Sequence, residues 1–138
     1  MKSYIFNYPV RLDDLDFMGI VGNAEWITLL TRARIDLLEI IEFPFSEMMK
    51  QKVGGVVVEL NVKYLKPASF GDQLKIKIIP DNPFKKGLVL KYSVENQNNN
   101  ECLLADVKIM FVDFNGKPTG MPEKIAQNLF GITTESLL

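Results

Sequence analysis

The chain has 138 residues, a formal charge of −1 and a 47% hydrophobic composition. This fits one folded domain over residues 1–138 and gives no basic surface for nucleic acid or an anionic membrane. It has no histidine and a single cysteine, which excludes a Ser–His–Asp triad, a Cys–His pair, an imidazole-bound zinc, an internal disulfide and a thiolate metal cluster. The opening MKSYIFNYPV is too polar for a secretory core, and no run of about 18 apolar residues follows. A cytoplasmic location is the expectation.

Residues 4–12 read as a first strand, in which Tyr4, Phe6 and Tyr8 alternate with Ile5 and Asn7, and Pro9 marks an edge or a bend. An acidic knot follows: Asp13, Asp14 and Asp16, then Gly19. In a chain without histidine, a carboxylate is the group left to do chemistry at neutral pH. Acids just before a helix also serve as caps and as partners of its dipole, and residues alone leave both readings open.

A long helix is predicted over 22–41. Ala24, Ile27, Leu30, Leu37 and Ile41 recur near helical spacing, and Trp26, Ala33 and Leu38 widen the stripe. Asn23 fits its cap position. So many apolar positions call for a helix largely wrapped by sheet. Pro44 closes it, and a short helical turn fits 45–52.

After Gly54-Gly55 the period changes. Strands are predicted over 56–66, 73–79, 87–96 and 101–114. They are separated by Pro67 with Gly71-Asp72, by Pro80 to Pro83, and by Asn98 to Asn100, with Asn115-Gly116 at the end. Residues 122–130 form a weak helix, and the tail beyond is expected to fray. Cys102, beside Leu103 and Leu104, reads as a core cysteine. Short turns favour an antiparallel sheet, and a curved sheet with the helix on its concave face buries both apolar surfaces, an α+β fold.

The segment Val10-Arg11-Leu12-Asp13-Asp14-Leu15-Asp16-Phe17-Met18-Gly19-Ile20-Val21, with Asn23-Ala24 and Trp26 beyond it, resembles the hotdog-fold acyl-CoA thioesterases of the 4-hydroxybenzoyl-CoA thioesterase type. Arg32-Ala33-Arg34 matches that family's helical continuation. Val62 to Ala68 with Phe70-Gly71-Asp72 looks like its second strand and turn, and Ala105 to Val112 with Gly116-Lys117-Pro118 and Met121-Pro122 looks like its last strand and exit. The chain departs from the pattern at Ile20, where the family often has histidine. It departs again at Asn23, histidine in some members, and at Gly22, more often asparagine or tyrosine.

The resemblance implies hydrolysis of an acyl-CoA thioester in a cleft between subunits of a homodimer or homotetramer, with no cofactor beyond the coenzyme A carried by the substrate. It makes Asp16 the general base or nucleophile, and backbone N–H groups of Gly19, Ile20 and Val21 the oxyanion donors. Asn23, Glu59 and Asn61 are auxiliary candidates, the last two on a strand face shared with Lys63. Lys63, Lys66, Lys85 and Lys86 are candidates for the coenzyme A phosphates. Phe17, Met18, Trp26, Leu29, Leu30, Phe43 and Phe45 serve either as pocket floor or as core. The fold also hosts other activities, so hydrolysis of a carrier-protein thioester and non-catalytic acyl binding stand as alternatives. The near-neutral charge weighs against an acidic carrier.

Overall fold

The computed structural model describes residues 2–138. Five strands, β1 (Tyr4–Pro9), β2 (Val53–Tyr64), β3 (Gln73–Phe84), β4 (Gly87–Glu95) and β5 (Glu101–Asp113), form one antiparallel sheet in the order β1-β3-β4-β5-β2. Side chains alternate across the pleat: Leu74, Ile76 and Ile78 of β3 are buried while Lys75 between them is exposed. β4 and β5 bury Leu88, Leu90, Tyr92 and Val94, and Leu103, Ala105, Val107, Ile109 and Phe111, in the same way.

Against that face lies α1 (Asn23–Ile40). Trp26, Leu29, Leu30, Ala33 and Leu37 form its buried stripe and join the sheet residues in a single cluster, which makes this the hotdog arrangement. The sheet covers that stripe and not the whole helix. Ile35 and Ile40 remain 53% and 57% exposed, because one sheet can contact only one side of a cylinder about 10 Å across. The shorter α2 (Phe45–Gln51) follows.

The boundaries differ from expectation where backbone geometry outweighs residue type. β1 stops at Pro9, and Leu12–Asp14 makes a 3-10 turn. β2 begins before its glycines: Gly55 sits inside the strand, where a Cβ would lie 2.8 Å from Ile109 Cγ2. β3 runs through Pro80 and Pro83 instead of ending at residue 79. β1 reaches only Tyr4 opposite Ile78, so the prolines lie where β3 has become an edge and a missing N–H is tolerated. The irregularity between Asp81 and Phe84, with Asn82 at φ 46°, absorbs the bend. The C-terminal helix is a turn at Glu123–Ile125 continued by a π-type turn, Ala126–Phe130. The tail is tied down, since the Lys85 N–H donates to the Leu138 carbonyl at 2.9 Å.

The connection from β2 to β3, residues 65–72, crosses two strands at one end of the sheet, and there it meets the entrance of α1. Cys102 lies in the core, as its neighbours suggest, and burial, followed by the Asp72 charge, pushes its thiol pKa up. The native protein is therefore expected to resist thiol-specific reagents at pH 8 and to react fully once denatured. Rapid native labelling would contradict this packing.

Candidate active site

The acidic segment folds back on itself before α1. The Gly19 N–H donates to the Asp16 carbonyl at 3.0 Å, and the Asp16 N–H donates to the Ile20 carbonyl at 2.8 Å. Gly19 has φ 78°, a left-handed conformation that a side chain would strain. Two further bonds fix the loop from outside: the Val21 N–H donates to the Ala68 carbonyl at 2.9 Å, and the Gly22 N–H to the Asp14 carbonyl at 3.2 Å.

The three aspartates divide their work. Asp14 is 5% exposed, and its Oδ2 accepts the Arg11 N–H at 2.8 Å. Asp13 pairs loosely with the Arg11 guanidinium at 3.6 Å in an exposed contact, which contributes little. Asp16 is half-buried. Its Oδ1 accepts the Met18 N–H at 2.8 Å, while its Oδ2 has no protein donor among the described residues.

Asp16 lies on the wall of a groove of about 420 Å³, whose lining includes Ile20, Asn23, Trp26, Tyr64 and Lys66. Trp26 is 3% exposed and borders the groove from the core. Gly22, not Asn23, is the N-cap of α1, and no side chain caps the helix. The first intrahelical bond runs from the Trp26 N–H to the Gly22 carbonyl at 2.9 Å. The N–H groups of Asn23, Ala24 and Glu25 are therefore left without acceptors among the described residues, at the positive end of the helix dipole.

The groove brings together Asp16, Ile20, Val21, Asn23 and Lys66 from the sequence candidates. Of the three expected donors, the Gly19 and Val21 N–H groups are consumed by the turn and by Ala68, whereas the Ile20 N–H has no acceptor among the described residues. The first turn of the helix adds further free donors, a consequence of Gly22 offering no side-chain oxygen.

Glu59, Asn61 and Lys63 do share a face, but it is the outer one. They stand opposite Lys108, Asp106 and Leu104 of β5, across the sheet from α1, and line separate shallow grooves. Lys85 and Lys86 form the β3–β4 turn, at the end of β3 remote from Asp72 and the acidic loop. Of the proposed floor residues, Trp26, Leu29, Leu30 and Phe43 are core, whereas Phe17, Met18 and Phe45 are exposed. Tyr64 and Leu65 were missed; the signal was an aromatic and a leucine closing a strand just before Pro67.

This fold and this carboxylate at an uncapped helix entrance define a thioesterase-like architecture. A model of the thioesterase-like superfamily matches residues 10–129, and the chain belongs to that family. It is 30% identical over 128 residues to the acyl-CoA thioester hydrolase YbgC of Escherichia coli O157:H7, covering 91% of this chain and 96% of that protein. The 1,4-dihydroxy-2-naphthoyl-CoA thioesterase of Synechocystis superposes with a TM-score of 0.86 at 14% identity, covering 93% of this chain and 96% of the other. A Staphylococcus aureus protein solved in complex with CoA superposes with a TM-score of 0.87 at 13% identity, covering 92% and 81%.

Among the described residues no heavy atom lies within 4 Å of a Cβ on Gly19, so substitution there is opposed by backbone strain. Gly19→Ala is expected to lower stability by about 1 kcal/mol, measured by denaturant unfolding. An unchanged midpoint would contradict the left-handed turn.

Proposed function

We propose that this protein hydrolyses acyl-CoA thioesters to a free acid and coenzyme A, with Asp16 and the Asn23 N–H acting on the same carbonyl. The observation that carries this reading is the position of the half-buried Asp16 carboxylate, with one oxygen held and the other without a protein donor, in the groove that also receives the uncapped start of α1. The E. coli relative bears the name of that activity.

The thioester carbonyl oxygen accepts the Asn23 N–H. As negative charge builds on that oxygen in the transition state, the fixed donor and the helix dipole stabilise it without reorganising. Asp16 either takes the proton of the attacking water or attacks the carbonyl carbon itself, forming an anhydride that water then opens at the substrate's acyl carbon. In both cases the carbon–sulfur bond breaks, the sulfur leaves with the electron pair as the coenzyme A thiolate, and water supplies the oxygen of the new acid. Lys66, exposed at the rim, offers positive charge to the phosphates.

The working unit in this reading is a dimer. β2 is 12 residues long, carries no proline and, among the described residues, pairs only with β5. Val56, Val57, Val58 and Leu60 are 42–50% exposed. A long, apolar, unprotected edge is a template for a further strand, and a second copy of β2 satisfies it. Tyr64 and Leu65, continuing from that edge, line the Asp16 groove, so the partner would wall the site.

Asp16→Asn is expected to lower kcat for acyl-CoA hydrolysis by at least about 100-fold, read by release of free thiol, with thermal stability retained. A native rate in that variant would overturn the assignment. Val58→Lys at the middle of the edge is expected to convert the dimer to a monomer in sedimentation. Dimers that persist would place the interface elsewhere.

A further inference from the structure

We propose that a second cavity, between the later half of α1 and the sheet, holds the acyl group whose thioester is attacked by Asp16 of the other copy, and that it limits this group to about the size of one six-membered ring. The inference rests on the reading above and names the substrate class within it.

The cavity has a volume of about 160 Å³, and its lining includes Leu37, Leu38, Ile41, Phe43, Met48 and Leu90. Arg34 is the one charged lining residue among the described residues, and its guanidinium donates to the Tyr92 hydroxyl at 3.4 Å. Protein interiors rarely leave a void of this size. Apolar cavities of about 150 Å³ stay dry and accept benzene. A chain of about six carbons fits such a space, and a long fatty chain does not.

The cavity reaches the free edge of the sheet at Gly54, Gly55 and Val57. Neither glycine brings a side chain to this rim: at Gly55 the place of a Cβ is taken by Ile109, and at Gly54 nothing among the described residues lies within 4 Å of a Cβ. Val57, on the same rim, is 45% exposed.

The cavity is poorly placed for the Asp16 of its own chain. Arg34, its lining residue nearest the helix entrance, lies roughly 17 Å along the axis from Asn23. The edge strand resolves the mismatch. Its beginning, at Gly54 and Gly55, borders this cavity, and its end, at Tyr64, borders the Asp16 groove. When two copies of β2 pair antiparallel, the beginning of each adjoins the end of the other. The carbonyl then sits in one copy and the acyl group passes across the seam into the cavity of its partner.

The test is a series of butanoyl-, hexanoyl-, benzoyl-, decanoyl- and hexadecanoyl-CoA, compared by kcat/KM. The native enzyme is expected to peak at hexanoyl and benzoyl and to fall by at least tenfold at hexadecanoyl. Leu38→Phe, which fills the cavity, moves the peak toward butanoyl, and Met48→Ala, which enlarges it, moves the peak toward decanoyl. Loss of stability cannot produce opposite shifts. A profile unmoved by both variants, or a native preference for hexadecanoyl, would overturn the cavity assignment while leaving the hydrolysis intact; no hydrolysis of any member would instead remove the reading on which it rests. A mixed dimer of one Asp16→Asn chain and one Leu38→Phe chain decides between copies. Its one intact carboxylate should work with the native cavity of the other chain and keep the native profile, whereas the Leu38→Phe profile would show that each chain uses its own cavity.

Discussion

Two backbone bonds decide where the carboxylate stands. The Asp16 N–H holds the Ile20 carbonyl and closes the acidic loop, and the Val21 N–H holds the Ala68 carbonyl and anchors the loop to the β2–β3 connection. Through the first, Asp16 is presented at the mouth of α1; through the second, the helix entrance is registered against the end of β2. Without either, the helix start and the strand end would have no fixed relation, and the groove they share would lose a wall. The left-handed Gly19 is what lets the chain make the first of these bonds in so few residues.

The same anchoring explains how a chain without histidine can be equipped for acyl transfer. Charge development needs a preorganised donor, and an uncapped helix provides one from the backbone. A serine or asparagine at position 22 could turn its own side chain onto those N–H groups. Gly22 leaves them free. The acidic loop divides its charges accordingly, with Asp14 buried as a scaffold and Asp16 at the groove wall.

Much of this was legible in residue order. The first strand announced itself by the alternation of Tyr4, Phe6 and Tyr8 with Ile5 and Asn7, and α1 by its 3.6-residue stripe, because both periods reflect which face is buried. Pro80 and Pro83 misled because a proline's effect depends on whether the neighbouring strand continues, and β1 does not reach that far. The Val21 N–H drops out as a candidate donor for a related reason: residue type cannot say which N–H groups are consumed by carbonyls distant in sequence, such as that of Ala68. The face of Glu59 and Asn61 was correctly grouped by period two, but which side met the helix depended on the bulge between Val57 and Glu59. The helical cavity lay outside sequence reasoning altogether, since a void is a property of packing.

The central claim is that Asp16 and the Asn23 N–H meet at one thioester carbonyl. The most direct measurement is a crystal structure of the protein with a non-hydrolysable acyl-CoA analogue in which a methylene separates the carbonyl from sulfur. The carbonyl oxygen is expected within hydrogen-bond distance of the Asn23 N–H, with the carbonyl carbon beside the Asp16 carboxylate. A carbonyl bound away from the entrance of α1, or one facing Glu59 and Asn61 on the outer side of the sheet, would contradict it.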